Sequence, residues 1–147
     1  KSAVQRQRFE ARSPGIVLRP ILTWKTRVVQ VKTVPAEQCV GYNCTYRTGR
    51  ETKVAILPVG YCDGYSRTFS NCGVVMVRGR YAPIIGIVSM NLCAIDVTGL
   101  PGGATGDEVV LLGDYPRITA DDCAKKTGTI NLDILTAIRP TVKRLVV

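Results

Sequence analysis

The stretch "VVMVRGRYAPIIGIVSM", residues 74–90, decides the fold class. Two apolar runs rich in Val and Ile flank Arg78-Gly79-Arg80. A glycine in a short polar break between such runs is a hairpin signal, because it supplies the backbone conformation that a tight reversal needs. The same pattern continues on both sides. Upstream, "TKVAILPVGY" (52–61) reads as a buried strand, with Pro58 pointing to an edge or a bulge. "CDGYSRTFSNCG" (62–73) is a loop with turns at Asp63-Gly64 and Asn71-Cys72-Gly73. Downstream, "LCAIDVTGL" (92–100) and "EVVLLG" (108–113) are strands around the turn cluster "PGGATGDE". Towards the N-terminus, "ILTWKTRVVQVKTV" (21–34) alternates in part, as a half-buried strand does. "CVGYNCTYRT" (39–48) reads as a strand broken near Gly41. Short strands with a turn roughly every ten residues predict a barrel or sandwich.

The C-terminal part changes period. Thr119-Ala120-Asp121-Asp122 has the form of a capping box, and Gly128 is placed to stop the helix it starts. Asn131 is expected to cap a second short helix through "LDILTAI", ended by Pro140. "TVKRLVV" (141–147) reads as a closing strand. The expected architecture is mainly β, barrel-like, with two short helices near the C-terminus.

Composition narrows the function classes. The 147 residues are 46% apolar and 21% charged, which suits one globular domain. The longest apolar stretches, Val54–Gly60 and Ile84–Ser89, are far too short to cross a bilayer. The basic start "KSAVQRQRFEARS" is not followed by the apolar core of a signal peptide. These features read as a soluble, cytoplasmic chain with no membrane partner. The net charge of +9 is concentrated before residue 30, and aromatics are only 6% and not interleaved with basic residues. A base-stacking platform needs that interleaving, so nucleic acid is not the expected partner. Cys39, Cys44, Cys62, Cys72, Cys93 and Cys123 are scattered without a C-x-x-C pair, and histidine is absent. No metal site is expected, and the thiols read as free, small apolar residues.

The chain is poor in ordinary catalytic parts. It has no histidine base, no serine elbow and no phosphate loop. Gly41-Tyr42, Gly60-Tyr61 and Gly64-Tyr65 place three phenols at loop-like breaks. A phenol titrates near pH 10, so roughly speaking it is a poor base unless cations or donors stabilise its anion. Taken alone, each is more readily a packed tyrosine with a satisfied hydroxyl.

Six stretches add to that reading: "VPAEQCVGYNCTYRT", "VAILPVGYCDGYSR", "APIIGIVSMN", "GDEVVLLG", "ITADDCAKKTGTIN" and "ILTAI". In this order and spacing they resemble the C-terminal β-domain of the fold-type III alanine racemases, which use pyridoxal 5'-phosphate. The resemblance implies a β-domain over residues 18–147, with 1–17 the end of a preceding (β/α)8 barrel and its linker. The barrel itself is missing from this sequence, so the chain reads as a domain of a larger polypeptide, inactive alone. It also implies interconversion of L- and D-alanine by two bases on opposite faces of Cα, supplying D-alanine for peptidoglycan. One base is a lysine of the barrel; the other is a tyrosine given by the β-domain to the partner subunit of a head-to-tail homodimer.

The family's G/S-Y-G-x-T-Y motif stands here as Gly41-Tyr42-Asn43-Cys44-Thr45-Tyr46, so Tyr42 matches the catalytic tyrosine. By the same resemblance Met90 gives its backbone N–H to the substrate carboxylate, and Tyr61 and Arg67 line the substrate entrance. Gly15 and Ile16 match backbone donors to the cofactor phosphate. Arg12 or Ser13 falls where the family keeps an arginine facing the pyridine nitrogen. Tyr46 keeps a packing or supporting role. Three positions depart from the family: Asn91 replaces an aspartate, Ile87 an arginine, and Leu132 a tyrosine that touches the phosphate and narrows the site. Leu132 motivates an alternative, a serine or broad-specificity racemase. All three, with the net charge, motivate another, a non-catalytic β-barrel interaction module.

Overall fold

A computed structural model describes residues 19–146. Nine short strands precede two helices: β1 (Trp24–Arg27), β2 (Gln30–Val34), β3 (Cys39–Val40), β4 (Tyr46–Arg47), β5 (Thr52–Leu57), β6 (Val74–Val77), β7 (Arg80–Ile85), β8 (Cys93–Asp96), β9 (Glu108–Leu112), α1 (Ala120–Thr127) and α2 (Asn131–Ala137). The expected hairpin is β6–β7, with Val77 opposite Arg80. Arg78 and Gly79 both take positive φ, 47° and 76°. That pair of left-handed residues matches the twist of the flanking strands.

Seven strands form one antiparallel sheet in the order β1-β9-β6-β7-β8-β5-β2. Its two edge strands are neighbours in the chain, separated only by Val28 and Val29. The Val28 N–H donates to the Asp107 carbonyl at 3.0 Å, while the next amide, Val29, donates to Ile56 at 3.0 Å. Consecutive residues thus bond to opposite ends of the strand order, and the sheet must curl until those ends meet. The mainly-β, barrel-like expectation holds. The stretch 21–34 is not one strand, however; it changes partner at Val28-Val29, which alternation alone does not reveal.

Curling gives the sheet an inner and an outer face. Ala55, Leu57, Val75, Val77, Ile84, Ile95, Val109 and Leu111 fill the inside, with Trp24, Tyr65 and Phe69. Residues at the intervening positions pack outside: Val74, Met76 and Val110 against Ile118, and Val54, Ile85 and Ala94 against Val40. All four residues of β6 are buried because both its faces are covered. Pro58 lies just beyond β5, which is an interior strand rather than an edge. The strand ends where the missing N–H would have broken its ladder.

The helix signals are mostly obeyed. The Thr119 hydroxyl accepts the Asp122 N–H at 3.1 Å, and Gly128 closes α1 with φ 70°. Asn131 is not the cap of α2. Ile130 takes that position without a side-chain bond, and the buried Asn131 amide donates to Asp121 at 2.8 Å, tying α2 to α1. Residues 141–146 form no strand. Their β-branched composition finds no partner edge, and strand propensity depends on one.

One ion pair braces the turn before β9. Asp107 accepts Arg78 Nε at 2.9 Å, Arg78 Nη2 at 2.6 Å and the Ala104 N–H at 2.9 Å. The Arg78 hydrogen bonds, chiefly, hold its carboxyl below the ordinary carboxylate range. A depressed folded-state pKa gives stability that is present above the ordinary aspartate value and is lost as pH falls through the lower folded value. Arg78→Met should therefore lower Tm at neutral pH and weaken the acid dependence of Tm. Parallel acid profiles for the two proteins would refute the assignment.

Candidate active site

The hairpin β3–β4 carries Tyr42 and sits on the outside of the barrel. Val40 packs into the cluster of Val54, Ile85 and Ala94, with Tyr46 half-buried beside it. Tyr46 is thus a packing residue. Thr48, fully buried, closes the base of the hairpin: its hydroxyl donates to the Pro35 carbonyl at 2.6 Å and accepts the Gln38 N–H at 3.0 Å. Between the two strands, Tyr42–Cys44 make a single 3-10 turn. Gly41 enters it at φ 77°, and Asn43 and Cys44 follow at 58° and 48°. Three left-handed residues in four cannot continue a strand. They turn the Tyr42 side chain out, 68% exposed, and its hydroxyl has no partner among the described residues.

Cys39 and Cys44 form a disulfide across this turn, with Cα atoms 4.9 Å apart. This corrects the reading of all six cysteines as free thiols; proximity across a hairpin is invisible in scattered sequence positions. Cys62 and Cys72 are free and exposed, and Cys93 and Cys123 are free and buried. Burial raises the Cys93 thiol to about 12 and, with help from Asp122, the Cys123 thiol to about 11. The thiolate is the reactive form. Maleimide at pH 8 should therefore label Cys62 and Cys72 in the native protein, and Cys39 and Cys44 only after reduction. Labelling of Cys39 and Cys44 without reductant would contradict the pairing.

The segment Gly86–Met90, which follows β7, joins the candidate residues. A Cβ on Gly86 would lie 2.6 Å from the Val40 carbonyl oxygen, so the Tyr42 hairpin rests directly on this backbone. At its other end, the Tyr61 N–H donates to the Ser89 carbonyl at 3.1 Å and the Cys62 N–H to the Met90 carbonyl at 2.8 Å. Tyr61 itself is 44% exposed, at the start of the 3-10 turn Tyr61–Asp63. The Met90 N–H donates to nothing among the described residues. Arg67 is exposed on the turn Arg67–Phe69, and the next residue, Ser70, accepts the Val88 N–H at 3.0 Å. Tyr42, Tyr61, Met90 and the Arg67 turn are thus hung on five consecutive residues.

Other candidates sort differently. Tyr65, the third Gly-Tyr phenol, is buried, stacked on Phe69 at 4.7 Å and edge-on to Trp24 at 5.9 Å. Burial pushes its hydroxyl well above the ordinary phenol range, so it is a core residue. Leu132 projects from α2, 56% exposed, and the chain just after α2 joins the Tyr61 turn, where the Arg139 N–H donates to the Asp63 carbonyl at 3.1 Å. Ile87, on the joining segment, is half-buried, and Asn91, the residue just after that segment, is exposed. Gly15, Ile16, Arg12 and Ser13 lie outside the described residues. A cavity of about 310 Å³ between the sheet and the helices is lined by Trp24, Tyr65 and Phe69 but by none of Tyr42, Tyr61 and Met90, so it is not this site. Sequence reading missed Thr48, and it missed Asn71, which it treated as a plain turn residue.

The fold is one found in solved isomerases. The structure of alanine racemase from Bartonella henselae with covalently bound pyridoxal phosphate superposes with a TM-score of 0.83 at 31% identity, covering 90% of this chain and 37% of that one. The Bacillus anthracis alanine racemase with bound L-Ala-P superposes at 0.80 with 33% identity, covering 95% and 35%. The alanine racemase of Halothermothrix orenii is 51% identical over 132 residues, 88% of this chain and 35% of the relative. Residues 21–146 match the family described as alanine racemase, C-terminal domain, and the chain belongs to that family. It spans about a third of the length of these relatives. Among the described residues no helix is long and apolar enough to cross a membrane.

Proposed function

We propose that this domain works within an alanine racemase that interconverts L- and D-alanine, and that Tyr42 is the acid–base group on one face of the substrate Cα. The observation that carries this reading is the Tyr42 turn: its exposed phenol has no partner among the described residues, and its hairpin packs on the segment ending at Met90, whose N–H likewise donates to none of them. A backbone N–H with no internal partner suits one oxygen of an amino-acid carboxylate. Bound there, the substrate would have its Cα within reach of groups on the neighbouring hairpin. Tyr42 then takes or returns a proton at Cα through its hydroxyl oxygen. Tyr61 and Arg67 border the entrance; the arginine attracts the carboxylate and the phenol restricts size.

Pyridoxal phosphate would supply the electron sink that makes the Cα proton removable. The described residues fit one side of such a site rather than its cradle. They offer donors and an acid–base phenol, while Leu132 presents hydrocarbon where the family has a hydroxyl on the phosphate. Gly15 and Ile16 would hold the phosphate through their N–H groups, and the rest of the cradle would come from a (β/α)8 barrel preceding residue 18. Residues 1–17 would then be the end of that barrel. In this reading the partner subunit receives Tyr42 in a head-to-tail homodimer, the isolated domain is inactive, and D-alanine made in the cytoplasm feeds peptidoglycan synthesis.

Leu132 favours a second reading within the same chemistry. An apolar side chain shorter than tyrosine widens the site and admits a longer substrate such as serine. Turnover of L-alanine and L-serine by the full-length protein separates the two. Faster alanine turnover is expected; faster serine turnover selects the second reading, and turnover of neither overturns both in favour of a binding module.

A further inference from the structure

We propose that Asn71 is a positioning residue for Tyr42, an inference that rests on the catalytic reading of Tyr42. Asn71 belongs to neither the Tyr42 hairpin nor the segment that supports it, yet it bonds to both. Its Oδ1 accepts the Gly86 N–H at 2.6 Å, and its Nδ2 donates to Thr45 Oγ1 at 3.2 Å and towards the Thr45 carbonyl at 3.4 Å. The Gly86 N–H can only donate, so the amide has one satisfactory orientation. The Asn71 backbone adds a bond from its N–H to the Gly86 carbonyl at 3.3 Å.

Thr45 ends the 3-10 turn that begins at Tyr42. On the other side of that turn, Val40 and Gly41 lie against the backbone of Gly86 and Ile87. Gly86 is therefore fixed to the hairpin directly on one side of Tyr42 and through the Asn71 amide on the other. The left-handed turn and the Cys39–Cys44 bridge fix the shape of the tip, but leave it free to tilt as a unit. The Asn71 bridge removes that freedom with respect to Met90, four residues after Gly86. Asn71 itself sits at φ 57°, a conformation asparagine tolerates better than most residues. This explains why an amide occurs there, where a lysine or valine would be strained and could not bridge.

The two arms can be cut separately. Asn71→Asp keeps an oxygen for the Gly86 N–H but loses the donor to Thr45. Thr45→Val keeps the residue's shape but loses the hydroxyl, and Thr45→Ser restores it. In the full-length holoenzyme, Asn71→Asp and Thr45→Val should each lower kcat about ten- to a hundredfold, the range that slight misplacement of a reacting group costs. Thr45→Ser should recover most of it. The diagnostic readout is the primary deuterium isotope effect with each Cα-deuterated enantiomer of alanine. Slower proton transfer at Tyr42 raises the effect for the one enantiomer whose hydrogen Tyr42 removes. Loss of folded protein lowers the rate for both and leaves the effects unchanged. Unchanged isotope effects in both variants would overturn the positioning role. Racemisation surviving in Tyr42→Phe would instead overturn the catalytic reading itself.

Discussion

Tyr42→Phe in the full-length protein should lower racemisation by about 10²- to 10⁴-fold, the contribution of a positioned acid–base group. Folding should be unaffected. The Tyr42 hydroxyl makes no bond among the described residues, and the ring is largely exposed, so removing one oxygen breaks no contact among them. The measurement is kcat for alanine in both directions, with Tm as control. Exchange of the Cα hydrogen with solvent adds the sharper test, because the barrel's own base should still exchange the hydrogen on its face. Near wild-type racemisation would remove Tyr42 from the mechanism.

The second large effect is expected at Gly60. Its φ of −155° is extended and open to any residue, so strain in the backbone is not the issue. Space is the issue. A Cβ there would lie 2.2 Å from the Ser89 carbonyl oxygen and 2.5 Å from that of Met90. Both are backbone atoms and cannot swing aside. Gly60→Ala must push the Tyr61 turn off the joining segment, breaking the bonds from Tyr61 to Ser89 and from Cys62 to Met90. Overpacking of this kind costs about 1–3 kcal/mol, and each lost bond adds about 1 kcal/mol. Because Met90 moves, KM for alanine should rise as well as Tm fall. Gly49→Ala is the control, since a Cβ at Gly49 meets nothing within 4 Å. If Gly60→Ala matched that control in both Tm and KM, the close seating of the turn would be wrong.

What could be read from the sequence followed from local rules. The β6–β7 reversal, the Thr119 cap and the Gly128 stop each depend on a few adjacent residues, and each is found in the structure. The break at Gly41 was visible for the same reason. What depends on which segments meet in the folded chain was not visible. The change of partner at Val28-Val29 is set by strands some 30 and 80 residues away in sequence, Asn131 was drawn from its cap by Asp121, and Cys39 met Cys44 only because the hairpin closed. The candidate site divides along the same line. Gly-Tyr pairs marked three phenols, but only three-dimensional packing separated buried Tyr65 from exposed Tyr42 and Tyr61. Asn71 looked like any turn asparagine because its two partners lie 26 residues before it and 15 after it.

In the proposed mechanism this domain supplies one base to a site whose other base belongs to a second subunit. Mixing subunits separates that arrangement from one in which Tyr42 serves its own subunit. One full-length variant carries Tyr42→Phe; the other keeps Tyr42 but lacks the cofactor-bearing lysine of the barrel. Each alone should be inactive. Unfolded and reassociated together, they should regain alanine racemisation, because mixed dimers contain one site with both an intact lysine and an intact Tyr42. If mixed dimers form and remain as inactive as the parents, Tyr42 does not act across the subunit boundary.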